Sequence, residues 1–391
     1  MRVLAVTTWL PTREHPSTGA FVVKDAQAIA DLGHEVALIH LVAAHQLIDA
    51  TRPLRSTRHA LRDQDATAGD IPVTRILMST TSPRSIGVAG RRLSRLSRGA
   101  DLVHTMAFPT LLPMAGWRPA APWVHTEHWS GLSAPQTLSY TYRLALPWLR
   151  PLLRRPDVVT AVCDHLAEPI GSIRAQRATA VVPCIVPRPE ELQPRRPEVC
   201  AGSPSHINVV FIGALIDRKD PLLAVDVLAA LLSRGMSARL RFIGEGPLAD
   251  AIAERSSQAG IADSVEIVGT LDRKGVLAEL AHADVFLGPT RGENFFVACA
   301  EAIQSGRPVV VGATGGHGEY IDARVGITVK TNQPSDYADA IVEVLDRCTN
   351  MTAEQISGTI ADSFSPSVVA AQYQDVYDQA IDQHVGPGES A

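Results

Sequence analysis

The chain has 391 residues, 46% of them hydrophobic and 20% charged, a length beyond one ordinary core and a composition typical of soluble globular proteins rather than disordered or fibrous ones. No apolar run approaches the roughly 18 residues that a spanning helix needs, and five scattered cysteines without a Cys-x-x-Cys pair point to neither a disulfide framework nor a zinc site, so a reducing cytoplasm is expected. The net charge of −5 hides a split: residues 1–200 carry 23 Lys+Arg against 16 Asp+Glu, the remainder 13 against 25, so the first half is the one suited to an anionic surface or substrate.

Val3–Leu10 follows Arg2 and could pass for a short leader core, but no small-residue cleavage site comes after it, and it reads as a first buried strand, at Val3–Thr7. Pro16-Ser17-Thr18-Gly19-Ala20-Phe21 joins it to a helical pattern at Phe21–Leu32. Ser17 or Thr18 could cap that helix, or Gly19 could let the backbone approach a diphosphate or an acceptor. Further strands are predicted at Glu35–Leu41, Val73–Met78, Asp101–Thr105, Trp123–Thr126, Val158–Val162 and Ala180–Val182, with helices at Ile86–Ser97 and Leu166–Ala175. Asp63-Gln64-Asp65 has the Asp-x-Asp form of a metal-dependent transferase but lies outside any strand end, and is read as exposed and structural. In His125-Thr126-Glu127-His128-Trp129, strand alternation puts His125 and Glu127 on one side and His128 on the other. The spacing is not His-Glu-x-x-His, so a zinc protease site has no support. Arg84, Arg91, Arg92, Arg95 and Arg98 cluster in one segment, and Tyr140–Arg155 adds aromatic and basic residues where Pro147 and Pro151 are expected to interrupt helix. Such stretches can hold anionic lipid surfaces, or form a solvated face.

The Pro-rich run from Pro183 to Pro204 breaks the series and is the expected hinge. A second series follows, with strands at Ile207–Ile212, Arg239–Ile243, Val265–Val268, Asp284–Leu287, Pro308–Val311 and Gly326–Val329 and helices between them. Strand–helix alternation of this kind argues for an α/β protein with parallel sheets covered on both faces. The expected organisation is a domain at 1–190, a linker at 191–206, a second domain at 207–365, and a C-terminal helix and frayed tail at 366–391 that could pack back on the first domain.

In the second series, Asp217-Arg218-Lys219-Asp220-Pro221 places two cations at a helix start, with Asp220 as candidate cap and Pro221 at the first helical position. That suits a pyrophosphate, and equally a solvated pair of surface cations. Gly244-Glu245-Gly246-Pro247 opens a helix, but no third glycine completes a dinucleotide fingerprint, so NAD binding is not expected. Glu293 and Glu301 stand eight residues apart, the first in a loop after a strand and the second inside an apolar helical segment ended by Gly306. With a helix beginning near Phe295, both carboxylates can grip neighbouring hydroxyls of one ligand, and the backbone N–H groups between them suit a phosphate; spacing alone equally allows a solvated helix with two exposed Glu, against which stand the Ala, Cys and Ile around Glu301.

The segment Gly292-Glu293-Asn294-Phe295-Phe296 through Glu301 resembles the Glu-x7-Glu signature of retaining glycosyltransferases of family 4, and the resemblance covers the chain to about Ser365, most specifically Asn208 to Tyr320. It implies the GT-B fold: two Rossmann-like domains facing each other across a cleft, the first binding the acceptor and the second the nucleotide sugar. It implies transfer of a sugar, with retention, from a nucleotide-diphosphate sugar (a UDP-sugar as first choice) to a hydroxyl of a glycan, lipid-linked or small-molecule acceptor. Neither metal nor cofactor is implied, nor nucleic acid, and contact with the inner face of a membrane is compatible with a cytoplasmic location. Thr126 and His128 match the family's Thr-x-His element, so His128 is the candidate that orients the donor sugar, with Glu293 holding its hydroxyls as the second catalytic candidate. The implied donor-binding residues are Gly19, Arg218, Lys219, Gly244, Leu271, Asn294, Phe295, Phe296 and Glu301, with Leu271 beside the base and Glu301 on the ribose. Two positions depart from the pattern: Ala214 stands where the family has Arg, and Phe296 where it has Gly. Two other readings stay open: a GT-B epimerase or phosphorylase, and a non-catalytic sugar-nucleotide-binding subunit.

Overall fold

The computed structural model describes residues 1–10, 19–43, 67–68, 70–135, 140–175, 177–196 and 206–385. The chain divides into two compact units, one formed by Met1–Ile185 together with the chain from Pro366 onward, the other by Val186–Ser365.

The first unit contains β1 (Arg2–Thr7), α1 (Ala20–Asp31), β2 (Glu35–Val42), β3 (Thr67–Ala68), β4 (Ile71–Leu77), α2 (Pro83–Leu96), β5 (Leu102–Met106), β6 (Trp123–Glu127), α3 (Tyr140–Leu149), β7 (Val158–Ala161), α4 (Asp164–Arg174) and β8 (Thr179–Val181). Its strands lie in the order β3-β4-β2-β1-β5-β6-β7-β8, parallel throughout except for the short β3, which runs antiparallel to β4. β5, β6 and β7 are buried along their whole length, as expected of central parallel strands covered on both faces. α2 starts three residues before the predicted Ile86 because the Ser82 side chain accepts from the Ser85 N–H and Pro83 takes the first helical position. α3 runs through Pro147, and the Arg150–Arg154 stretch after it is 3-10 helix, so the proline does not stop the helix as the sequence suggested.

The second unit contains β9 (Ile207–Ile212), α5 (Pro221–Ser233), β10 (Ala238–Ile243), α6 (Ala249–Gln258), β11 (Val265–Gly269), α7 (Arg273–His282), β12 (Val285–Gly288), α8 (Val297–Gln304), β13 (Val309–Gly312), β14 (Gly326–Val329), α9 (Pro334–Arg347) and α10 (Ala353–Ser357). Its six strands are ordered β11-β10-β9-β12-β13-β14, all parallel. The last helix, α11 (Pro366–Val385), belongs to the first unit, where Val369, Tyr373, Val376 and Tyr377 join the core with Val22 and Ile29 of α1. A polar seam fixes it there. Tyr373 donates to Asp25 Oδ2 at 3.1 Å, and His104 bridges Tyr377 (2.9 Å) and Thr126 (2.6 Å). Buried polar groups are tolerated when they are paired in this way.

Candidate active site

In an open parallel sheet, the loops at the carboxyl ends of the strands gather along one edge. In the second unit, those loops carry most of the residues singled out above. After β9, the 3-10 turn Asp217–Lys219 places Arg218 and Lys219; after β12, the loop through Thr290 to Phe296 places Glu293. The three side chains form one ionic cluster: Glu293 Oε1 lies 2.5 Å from Arg218 Nη1 and 2.7 Å from Lys219 Nζ. Burial alone pushes the Glu293 carboxyl up, but the charges of Lys219 and Arg218 and their hydrogen bonds outweigh it and hold the group below the usual range. It is therefore ionised at neutral pH. Arg218 also donates to the Gly292 carbonyl at 2.8 Å, and Arg291 N–H donates to the Arg218 carbonyl at 2.8 Å, tying the two loops together.

Glycines set the geometry of this cluster. Gly315 (φ 130°) lies so close to the neighbouring loop that a Cβ would stand 1.8 Å from the Glu293 carbonyl oxygen, which accepts from the Gly316 N–H at 3.0 Å. The Gly315-Gly316 pair thus fixes the Glu293 backbone. Gly244 (φ 143°) follows β10, and a Cβ there would meet the Gly213 oxygen at 2.1 Å. Its N–H donates to the Gly269 carbonyl at 2.9 Å, so three strand ends meet as bare backbone. Leu271 is half-buried in the turn between β11 and α7.

Two details differ from the sequence reading, the capping by Asp220 and the burial of the loop before α8. Asp220 does cap α5, but in a left-handed conformation without a side-chain capping bond; its carboxylate instead takes Arg291 Nε at 2.7 Å. α8 begins at Val297, with Phe296 as the left-handed residue before it. Asn294, Phe295 and Phe296 are all buried. Phe295 packs on Tyr320 and Phe364, and Phe296 on Phe286 and His317. The two phenylalanine rings are anchored in the protein interior, so what this loop offers a ligand is its backbone. Glu301 is half-buried within α8.

In the first unit, Gly19 begins α1 with φ 70°, and a Cβ there would stand 2.3 Å from the Trp9 carbonyl oxygen. Ser17 and Thr18 lie outside the described residues, as do Asp63, Asp65 and Cys200. His128 follows β6, its ring packed at a tilt of 39° against Phe21, with centroids 4.3 Å apart, and its Nδ1 3.9 Å from Cys184 Sγ. Burial pushes its imidazole down to about 3, with a smaller effect from His125, so it is neutral at physiological pH. Glu127, which sequence reasoning left without a role, accepts from the backbone N–H groups of His128 (2.9 Å) and Trp129 (2.8 Å) and lies 3.3 Å from His125 Nε2. A buried carboxylate clamping the next two amides fixes the orientation of this loop. Its signal was visible as a Glu at a strand end, next to a candidate His. Among the described residues, no group of three His, Cys, Asp or Glu could hold a metal ion, and no helix is long and apolar enough to cross a membrane.

Comparison with known proteins bears on both units. Residues 18–184 match the model of a glycosyl transferase 4-like domain, and residues 206–347 that of glycosyl transferases group 1. A GDP-mannose-dependent alpha-(1-6)-phosphatidylinositol dimannoside mannosyltransferase of Mycobacterium tuberculosis is 36% identical over 147 residues, 37% of this chain and 37% of that protein. A D-inositol 3-phosphate glycosyltransferase of Corynebacterium glutamicum is 27% identical over 198 residues, 48% of this chain and 47% of that protein. Each match spans less than half of the relative's length. Sucrose-phosphate synthase from Thermosynechococcus elongatus has a TM-score of 0.73 at 18% identity, covering 98% of this chain and 100% of the other. HepE of Anabaena, in complex with UDP and glucose, reaches 0.70 at 15% identity, covering 97% and 99%. At these identities the likeness to solved structures is one of fold.

Proposed function

This chain belongs to the family-4 glycosyltransferases of GT-B fold, and on that premise we propose that it moves a sugar, with retention, from a nucleoside-diphosphate sugar to a hydroxyl acceptor. The observation that carries the proposal is the Arg218–Glu293–Lys219 cluster, half-buried at the carboxyl ends of a parallel sheet. Breaking a glycosyl–phosphate bond leaves negative charge on the departing diphosphate and oxocarbenium character on the sugar. Arg218 and Lys219 offset the first, together with the backbone N–H groups that open α8. Glu293 takes hydroxyls of the sugar, and Glu301 the ribose. With cations and amides meeting the phosphate charge, the step runs without a divalent metal. The leaving phosphate oxygen accepts the proton of the acceptor hydroxyl as that hydroxyl attacks from the same face, which gives retention. His128, neutral and held by the Glu127-clamped loop, donates or accepts a hydrogen bond at the sugar.

The relatives' names include a GDP-mannose-dependent enzyme, and a fold neighbour holds UDP. Thermal shift with UDP, GDP and ADP therefore decides the base, our first choice being UDP. The reaction is tested by slow donor hydrolysis without acceptor, which should release nucleoside diphosphate from the wild type and not from Glu293→Gln or Lys219→Ala. Equal release by all three would reject the site. The same assay separates transfer from a binding-only subunit, which would release nothing. We place the enzyme in the cytoplasm, acting on a glycan, lipid-linked or small-molecule acceptor.

A further inference from the structure

Among the described residues, four large hydrophobic side chains that face solvent fall on one ten-residue helix, α3: Tyr140 (69% exposed), Tyr142 (51%), Leu144 (58%) and Trp148 (84%). Tyr140, Leu144 and Trp148 follow one another at intervals of four residues and so form a single stripe along the helix. Leu146 and Leu149 are half-buried. The helix has used those leucines for packing and turns a second, larger apolar face to water. An apolar stripe kept on the surface marks an interaction site.

The charge around the stripe selects the partner. From His128 to Pro156 the chain has no Asp or Glu and four arginines, Arg143, Arg150, Arg154 and Arg155. Arg143 and Arg150 are exposed on and beside the helix. Next to it lies a groove of about 430 Å³ whose lining includes Leu132, Leu146, Ile173, Arg150 and Arg154. Tyr and Trp favour the headgroup level of a bilayer, where a ring can be half in hydrocarbon and half in water. A helix of ten residues, about 15 Å long, is too short to span and can only lie flat. A second copy of this chain would bring the same four arginines against one another, which opposes self-association through this face.

We propose that α3 is a membrane-contact element that rests in the headgroup layer of an anionic bilayer. The Tyr140–Leu144–Trp148 stripe sits at the acyl boundary, and Arg143 and Arg150 meet lipid phosphates. The inference does not depend on the donor chemistry of the second unit. If sugar transfer were disproved, membrane binding would still be measured, and the reverse also holds.

The test is flotation with vesicles of phosphatidylcholine alone and of phosphatidylcholine mixed with phosphatidylglycerol, using the full chain. The wild type should float with the anionic vesicles and not with the neutral ones, and added salt should weaken binding. Leu144→Ser combined with Trp148→Ser should weaken binding at least about tenfold, and Arg143→Ser and Arg150→Ser about fivefold each. All variants should keep the wild-type melting temperature and the wild-type rate of donor hydrolysis in vesicle-free buffer. Failure of the wild type to float with anionic vesicles overturns the proposal. So does wild-type binding by the Leu144→Ser/Trp148→Ser variant, which would move the contact to another basic surface such as α2. A dimer in light scattering that this double variant splits would also overturn it, since the occupant would then be a second copy.

Discussion

The Lys219 ammonium lies 4.2 Å above the centroid of the Phe296 ring, although the two residues come from loops that follow different strands of the second sheet. Phe296 has φ 57°, a left-handed conformation that costs a non-glycine residue about 1–2 kcal/mol. The ring repays that strain. It meets Phe286 and His317 edge-on, at 5.6 and 5.5 Å between centroids, and fits where Gly288 has no side chain, since a Cβ there would stand 2.7 Å from Phe296 Cζ. Phe296→Gly should relieve the backbone yet empty a buried pocket, lowering stability by a net of about 2–4 kcal/mol. Phe296→Leu should keep most of the packing but lose the cation–π contact, worth about 0.5–2 kcal/mol. Its donor hydrolysis should fall roughly threefold to thirtyfold, with a melting temperature closer to wild type than that of the glycine variant. Wild-type hydrolysis by the leucine variant would show that the ring does not position Lys219.

Gly315 and Gly33 offer a matched comparison. Both have positive φ, 130° and 89°, but a Cβ meets the Glu293 carbonyl at 1.8 Å in the first case and nothing within 4 Å in the second. Gly33→Ala should cost only the conformational penalty, about 1 kcal/mol. Gly315→Ala must in addition displace the Glu293 backbone, so donor-induced thermal stabilisation should be lost along with hydrolysis. If both alanine variants retain ligand stabilisation, the Gly315-Gly316 loop does not hold Glu293 in a working position.

His128 is neutral throughout the physiological range because burial pushes it down to about 3. Replacement by Ala should therefore lower kcat/KM by about 10–100-fold without moving the acid limb of the pH–rate profile between about pH 5 and 8. An acid limb that disappears with His128 would show a titrating role that this environment does not support.

Asp25 provides a pH test of stability in the first unit. Burial raises its carboxyl to about 7, against a smaller opposing effect of the Tyr373 hydrogen bond. An unfolded aspartate titrates near ~3.9. Below that value the side chain is neutral in both states, and its contribution is fully present. As pH climbs from there to the folded value, the unfolded chain gives up a proton that the native state keeps, and stability on the order of 4 kcal/mol is lost by the time the folded group ionises. Asp25→Asn carries no charge to bury and can still accept from Tyr373. Its melting temperature relative to wild type should therefore rise from about pH 5 to about pH 8. A difference that stays constant over that range would show that Asp25 does not titrate in the folded protein.

Much of the fold was legible because central parallel strands are short continuous apolar runs, as in Val158–Ala161 and Val309–Gly312, and these stand out between helical patterns. Boundaries were less so. Pro147 reads as a breaker, but α3 continues through it, and the two-residue β3 carries no periodicity at all. In the site, the residue types and spacing of Arg218, Lys219, Glu293 and Glu301 were visible. The pairing of both cations with Glu293 was not, since it joins loops more than seventy residues apart. Nor does sequence show that Phe296 is buried under Lys219, or that His104 and Tyr377, 273 positions apart, share a hydrogen bond. Contacts at such separations have no local signature.

The salt bridges from one carboxylate to both cations leave a guarded trap. On the proposed reaction, the pyrophosphate of a donor would find its two positive partners already engaged and would have to displace Glu293 from them. The displaced carboxylate would then be set loose beside the incoming sugar. Occupancy by the leaving group would then arm the residue that grips the rest of the donor, and sugars lacking the diphosphate would meet a closed latch.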